Sequence, residues 1–166
     1  EGHARRDRIA EFENVHGSQF VDHLNGDSGA NEIHGGAGND LIAGRAGNDI
    51  IRGGAGADVM NGGAGEDTIR YEASDAGVRV NLANEFGSTG GHAQGDRIND
   101  FENIYGSSFA DALAGDNLSN EINGASGDDF INGSDGDDLI EGGEGADALF
   151  GGNGLDTLSY ASSTSG

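Results

Sequence analysis

Four consecutive nonapeptides decide the fold: residues 35–43 read GGAGNDLIA, 44–52 read GRAGNDIIR, 53–61 read GGAGADVMN and 62–70 read GGAGEDTIR. Outward from this stretch, the same period extends to twelve units in two blocks of six. Glycine opens the units at 17, 26, 35, 44, 53 and 62, and again at 106, 115, 124, 133, 142 and 151. Residues 2–77 also align with residues 91–166, so a long unit is present almost twice. Fixed periods of this kind indicate a repeat architecture rather than an ordinary globular core.

Two columns of the nonapeptide have constant chemistry. Position six always carries a side-chain oxygen: Asp22, Asn31, Asp40, Asp49, Asp58, Asp67, Asp111, Asn120, Asp129, Asp138, Asp147 and Asp156. Position eight is always apolar: Leu24, Ile33, Ile42, Ile51, Met60, Ile69, Leu113, Ile122, Ile131, Ile140, Leu149 and Leu158. Position four is glycine except at Phe20, Phe109 and Leu118, which all lie in the first two units of a block. We interpret those units as caps, because terminal repeats are often atypical.

The composition excludes several classes of protein. The chain has 166 residues, 30 acidic against 8 basic side chains, a formal net charge of −22, 33 glycines and neither proline nor cysteine. Fewer than one residue in five is Leu, Ile, Val or Phe, which is typical of chains that do not fold alone. The lack of cysteine excludes disulfides and thiolate metal sites. The acidic charge argues against nucleic acid and anionic membranes as partners.

Each unit predicts a tight turn followed by a strand of about three residues. Glycine permits positive φ and lets backbone carbonyls approach a common point. A hard cation that takes six to eight oxygen ligands suits such a turn, and calcium accepts flexible carbonyl-rich geometry better than magnesium does. The repeat therefore predicts calcium binding, with the position-six side chains as ligands.

The pattern resembles the RTX (repeats-in-toxin) calcium-binding nonapeptide GGxGxDxUx over essentially the whole chain. The resemblance implies an all-β fold, a right-handed parallel β-roll, in which each loop stacks on the loop 18 residues later and calcium lies between them. The loop pairs that match best open at Gly35 and Gly53, Gly44 and Gly62, Gly124 and Gly142, and Gly133 and Gly151. Pairs that include a cap, starting at Gly17, Gly26, Gly106 and Gly115, match less well because they lack position-four glycines or carry Asn31 or Asn120.

The resemblance further implies carbonyl ligands from loop positions one, two and four. In this sequence they are Gly35, Gly36, Gly38, Gly44, Arg45, Gly47, Gly53, Gly54, Gly56, Gly62, Gly63 and Gly65 in the first block. In the second block they are Gly124, Ala125, Gly127, Gly133, Ser134, Gly136, Gly142, Gly143, Gly145, Gly151, Gly152 and Gly154. The pairing gives roughly four to eight calcium ions. We expect the chain to be disordered without calcium and to fold into the β-roll when calcium binds.

The segment between the blocks departs from the nonapeptide. Alternation in GVRVNL, residues 77–82, predicts a strand with Val78, Val80 and Leu82 on one face. The predicted organisation is an entry strand segment at 1–16, a first block with a capping tail at 17–77, connecting strands at 78–105 and a second block at 106–166. We expect the chain to be a piece of a longer array. Glu102 with Asn103, like Glu13 with Asn14, is interpreted as a hydrogen-bonding pair, with calcium ligation or a catalytic carboxylate as the alternative.

No motif for catalysis is recognisable, so no enzyme activity is expected. The leading hypothesis is a calcium-binding structural module of a larger secreted protein, exported, as the resemblance implies, by Gram-negative type I secretion machinery. The alternative is an adhesin-type module that binds polysaccharide or a cell surface, for which Arg45, Arg52, Arg70 and Arg79 offer a faint basic stripe. Ice binding is disfavoured because the chain has few threonines.

Overall fold

A computed structural model describes residues 12–84 and 87–161, and its regular secondary structure is almost entirely short parallel strands. The strands of the first block are β1 (Asn14–His16), β2 (His23–Asn25), β3 (Glu32–Ala37), β4 (Leu41–Ala46), β5 (Ile50–Ala55), β6 (Val59–Ala64) and β7 (Thr68–Arg70). Next come β8 (Arg79–Asn81), a 3₁₀ helix (Gly91–Ala93), β9 (Arg97–Asn99) and β10 (Asn103–Tyr105). The second block adds β11 (Ala112–Ala114), β12 (Glu121–Asn123), β13 (Phe130–Asp135), β14 (Leu139–Glu141), β15 (Ala148–Asn153) and β16 (Thr157–Leu158). The expected entry segment at 1–16 lies outside the described residues, apart from residues 12–16.

Successive strands alternate between two faces of a flattened coil, as the nine-residue period requires. One face is a single eight-stranded sheet, the long sheet, in the order β1-β3-β5-β7-β10-β12-β14-β16. The opposite face has a first short sheet, β2-β4-β6-β9, and a second short sheet, β8-β11-β13-β15. Within each block a strand pairs with the strand 18 residues later, for example Ile33 with Ile51 and Ile42 with Met60. The fold is therefore a parallel β-roll, as predicted.

The core is a stack of single side chains, one for each short strand. Each three-residue strand points only its middle residue inward, because side chains alternate across a strand. The position-eight residues are buried from Leu24 through Ile140, and most are 0–1% exposed. Leu149 is partly buried against this core, whereas Leu158 is 50% exposed. Strands β15 and β16 each have a neighbouring strand on one side only, which leaves both residues less buried than those of the interior strands.

The segment between the blocks keeps the long sheet continuous. Strand β7 pairs directly with β10, which places Ile69 beside Ile104, 35 residues further along the chain. Strand β9 extends the first short sheet from β6, and β8 begins the second short sheet beside β11. Buried side chains fill this junction, among them Tyr71, Val78, Val80, Ala93, Ile98 and Phe101. Burial of Val78 and Val80 and partial burial of Leu82 agree with the predicted strand.

Over the described ranges, the only helix is the three-residue 3₁₀ turn, and no helix within them is long and apolar enough to cross a membrane.

Candidate calcium sites

The loops of stacked units lie so close that their opening glycines have no room for a side chain. A Cβ atom added to Gly35 would collide with the carbonyl oxygen of Gly53 and with Oδ2 of Asp40. Gly44 stands in the same relation to Gly62 and Asp49, and Gly124 to Gly142 and Asp129. At each of these glycines, a carboxylate oxygen of the same unit therefore meets a carbonyl oxygen of the stacked unit. Such oxygen-rich geometry is what calcium requires.

Position two of the loop takes a positive φ in the interior units whatever residue occupies it. Arg45, Ala125 and Ser134 have φ values of 87°, 74° and 86°, close to the values of Gly54 and Gly143. Side chains other than glycine are disfavoured in this region. The stacking of the loops, rather than the residue type, therefore imposes the turn. These three residues stand at loop position two, for which carbonyl ligands were predicted.

One oxygen of each position-six carboxylate holds the loops together. Oδ1 of Asp58 accepts a hydrogen bond from the backbone N–H of Asp40 at 2.8 Å, and Oδ1 of Asp67 accepts one from Asp49 at 2.7 Å. The same bond joins Asp111 to Asp129 at 2.8 Å and Asn120 to Asp138 at 2.9 Å. The position-six column thus forms a ladder with an 18-residue step, and each rung uses a single carboxylate oxygen.

The second oxygen of the interior carboxylates is buried without a partner. Oδ2 lacks a hydrogen-bond partner in Asp40, Asp49, Asp58, Asp67, Asp129 and Asp138. Burial raises the pKa of these carboxyls, and it raises the pKa of Asp129 to about 7. An unpaired buried carboxylate is strongly unfavourable unless a cation or a hydrogen-bond donor compensates it. A divalent cation at this oxygen supplies that compensation, so the interior loops fit calcium.

The cap units satisfy the equivalent oxygen internally. Oδ2 of Asp22 accepts hydrogen bonds from the backbone N–H and the hydroxyl of Ser18, at 2.6 and 2.8 Å. The backbone N–H of Ser107 donates to Oδ2 of Asp111 and its hydroxyl donates to Oδ1, and Oδ1 of Asn31 accepts from the backbone N–H of Asp27 at 2.9 Å. Asn120 repeats the arrangement with Asp116. The predicted ligand oxygens of the caps are therefore occupied by their own loops.

The last two loops of the second block are more open. Asp147 and Asp156 are partly buried, and their Oδ1 atoms accept from the backbone of Asp129 and Asp138 at 3.0 and 3.2 Å. Each carboxylate thus accepts a hydrogen bond from the loop that lies 18 residues earlier. In the part of the chain that the structure describes, no three His, Asp or Glu side chains converge as a metal cluster. Backbone carbonyls must therefore supply most ligands of any site here.

Two residues outside the nonapeptide units take the place of a position-six side chain. Oδ1 of Asp96 accepts from the backbone N–H of Asp58 at 2.9 Å, and Oε2 of Glu102 accepts from that of Asp67 at 2.8 Å. Asp96 was not predicted as a ladder residue. Its signal in the sequence is GHAQGDRIN at 91–99, a degenerate nonapeptide with Gln94 at position four, Asp96 at position six and Ile98 at position eight. Glu102 and Asn103 do not bond to each other: Glu102 accepts from Asp67, and Oδ1 of Asn103 accepts from the backbone N–H of Glu121 at 2.9 Å.

The faint basic stripe proves to be neutralised in part. Arg52 contacts Glu32 at 2.6 Å and Glu72 at 2.5 Å, and Arg70 stacks over the ring of Tyr105 at 4.4 Å. Arg52 and Arg70 lie on neighbouring strands of the long sheet, whereas Arg45 lies in β4 of the first short sheet and Arg79 in β8 of the second. The four arginines thus do not form one surface row.

Comparison with known families agrees with this geometry. The profile of the RTX calcium-binding nonapeptide repeat matches four stretches, residues 16–51, 40–69, 99–133 and 123–158, which together cover more than half of the chain. The chain belongs to this family of calcium-binding repeat modules. A search of curated proteins finds no significant match. The fold and the family together define a calcium-binding RTX β-roll.

Proposed function

We propose that this chain is a calcium-triggered folding module of a larger secreted protein, disordered where calcium is scarce and rolled where it is abundant. The observation that carries the proposal is the row of six buried carboxylate oxygens without partners. Without a cation, each of them opposes the fold; with a cation, each becomes a ligand. The oxygen atoms that destabilise the empty roll are thus the ones that make folding depend on calcium.

The magnitudes support a switch at extracellular calcium. A site with a dissociation constant of about 10⁻⁴ M contributes about 1.4 kcal/mol at millimolar calcium and almost nothing at submicromolar calcium. Several such sites amount to a large share of the stability of a small domain. The net charge of −22 adds self-repulsion that bound cations relieve.

Folding outside the cell would also assist export. RTX repeats are typical of secreted bacterial proteins. An acidic, glycine-rich chain that stays unfolded in low calcium passes through a type I secretion channel as an extended polymer, and rolling on the far side opposes its return. Calcium is the partner in this proposal, and the role of the module is structural rather than enzymatic.

The test is a calcium titration of chelator-treated protein followed by far-UV circular dichroism. We expect a coil spectrum in chelator, a cooperative transition to β structure as calcium rises, and no such transition in magnesium at equal concentration. A spectrum that is already fully β in chelator, or an equal response to magnesium, would refute the proposal.

A second candidate is binding of polysaccharide or a cell surface by the outer face of the long sheet. The observation in its favour is a row of planar side chains on adjacent strands: the rings of His16 and His34 lie 4.6 Å apart, and Arg70 covers Tyr105. Binding of an acidic polysaccharide by the calcium-loaded chain, lost in Arg70→Ala, would support this function. Absence of glycan binding in calcium would leave the structural role alone.

A further inference from the structure

The last loop of the first block faces the junction rather than another nonapeptide. Gly62 opens this loop and Asp67 closes it. Oδ2 of Asp67 is fully buried and has no partner, like the equivalent oxygen of Asp49 one layer before it. The next complete nonapeptide after this loop opens only at Gly106. The repeat pattern therefore supplies no further loop that could share a cation with this oxygen.

The junction nevertheless presents oxygens in the places that a stacked loop would use. A Cβ atom on Gly62 would collide with the carbonyl oxygen of Asp100, just as one on Gly44 would meet the carbonyl oxygen of Gly62. The backbone N–H of Gly63 donates to the same Asp100 oxygen at 3.3 Å. Asp100 has a φ of 54°, a left-handed conformation that is uncommon outside glycine.

Glu102 completes the replacement. Its Oε2 atom accepts the backbone N–H of Asp67, the bond that Oδ1 of a position-six aspartate makes elsewhere in the ladder. Its longer side chain reaches the rung from a different backbone position. This bond uses Oε2 alone, so Oε1 of the same carboxylate is not part of it.

The neighbouring layer provides a contrast. Asp96 stands next to Asp58, but both of its carboxylate oxygens are occupied, one by the backbone N–H of Asp58 and the other by the Tyr71 hydroxyl at 3.0 Å. At Gly53, the atoms nearest to an added Cβ are those of Asp58 and Met60 rather than a carbonyl of the next layer. The complete set of oxygens therefore occurs at only one of the two junction layers.

We propose that Asp67, the carbonyl of Asp100 and Glu102 form an additional calcium site, outside the nonapeptide pattern, that joins the two blocks. The three residues supply two carboxylates and a carbonyl, the ligand types that calcium prefers. Glu102 directly precedes β10, the strand that carries the long sheet into the second block. An ion here therefore joins the last loop of the first block to β10, the next strand of the long sheet. This inference rests on the proposed function, since it assumes that the interior loops bind calcium.

The experiment counts the calcium ions bound to the 166-residue chain by native mass spectrometry over a titration with calcium chloride. The variant Glu102→Gln keeps an oxygen that can accept the N–H of Asp67 but removes the charge, so a purely structural Glu102 would leave the count unchanged. Glu13→Gln is the matched control, because Glu13 is the equivalent residue of the first long unit and is exposed. Asp138→Asn reports on an ordinary loop of the second block.

We expect Glu102→Gln to bind one ion fewer than the wild type, Asp67→Asn to do the same, and Glu13→Gln to bind the full number. Asp67→Asn keeps the inference testable if the glutamine variant fails to roll. A full count in both junction variants, with one ion lost in Asp138→Asn, would overturn the junction site while the proposed function stands. A wild-type chain that binds no calcium would overturn both.

Discussion

At the residue scale, the two oxygens of each position-six aspartate have separate roles. Oδ1 of Asp49 accepts the backbone N–H of Asn31 at 2.7 Å, whereas its Oδ2 is buried and unpartnered. In Asp22 the serine at position two of the same loop already occupies Oδ2. The same residue type in the same column is therefore a candidate calcium ligand in one unit and a turn-closing side chain in another.

This difference predicts unequal effects of the same substitution. Asp49→Asn keeps the ladder oxygen but removes the charge that faces the cation. We expect it to lose one bound ion and, at a calcium concentration ten times the dissociation constant, about 1.4 kcal/mol of unfolding free energy. Asp22→Asn should have little effect, because Asn31 makes the same turn with an amide oxygen. Calcium titration calorimetry checks both variants, and equal losses would contradict the assignment.

Position two offers a backbone prediction. Ala125 is held at a φ of 74°, which disfavours a side chain by about 1–2 kcal/mol, while glycine loses more entropy on folding by about 0.4–1 kcal/mol. The relief of strain outweighs the entropy loss, so Ala125→Gly should raise the unfolding free energy in calcium by about 0.5–1 kcal/mol. Ala146→Gly, at a loop position without positive φ, should lower it instead. Urea unfolding in saturating calcium measures both; a loss of stability in Ala125→Gly would count against strain at this position.

At the scale of elements, each coil depends on very few side chains. A three-residue strand contributes one buried residue, so the pairing of β7 with β10 rests on Ile69 beside Ile104, which are 0% and 1% exposed. The junction should therefore be sensitive to a single cavity.

Ile104→Ala tests this sensitivity. Removing a fully buried isoleucine side chain should lower the unfolding free energy in calcium by about 2–5 kcal/mol. Leu139→Ala removes a similar volume at the first residue of β14, position seven of its nonapeptide, where the side chain is 37% exposed. This variant should have a much smaller effect. Urea unfolding followed by far-UV circular dichroism compares them. Similar losses in both variants would argue against a tightly packed junction.

At the scale of the whole molecule, the long sheet makes the two blocks one hydrogen-bonded structure. The short sheets divide at the junction, but the eight-stranded sheet does not. Buried residues from β1 to β14 also form one continuous core. Repeat proteins of this kind transmit stability between neighbours, so the blocks should unfold together.

Calorimetry of the calcium-loaded chain should show a single transition whose calorimetric and van't Hoff enthalpies agree. In Ile104→Ala the transition should broaden or split, because the contact between β7 and β10 is weakened. Two well-resolved transitions in the unaltered chain would mean that the blocks fold independently despite their shared sheet.

Much of the candidate site follows from local sequence. The nine-residue period, the oxygen column at Asp40 and its equivalents, and the apolar column at Ile42 predict the turn, the strand and the 18-residue stacking. These properties are local or repeat at a fixed step, and each unit meets the same neighbour. Phe20 and Leu118 marked the atypical loops, although the hydrogen bonds that close these loops were not predicted.

By itself the sequence determined the period, the parallel β-roll and the side chains suited to calcium, because these depend on residues within one or two units. Tertiary structure decided which carboxylate oxygens are buried without partners, because burial depends on the coils stacked around each one. It also decided that β7 pairs with β10 across 35 residues and that Asp96 and Glu102 continue the ladder. Those contacts cross connections longer than the 18-residue step, so the period alone does not predict them, although the degenerate nonapeptide at 91–99 contains Asp96.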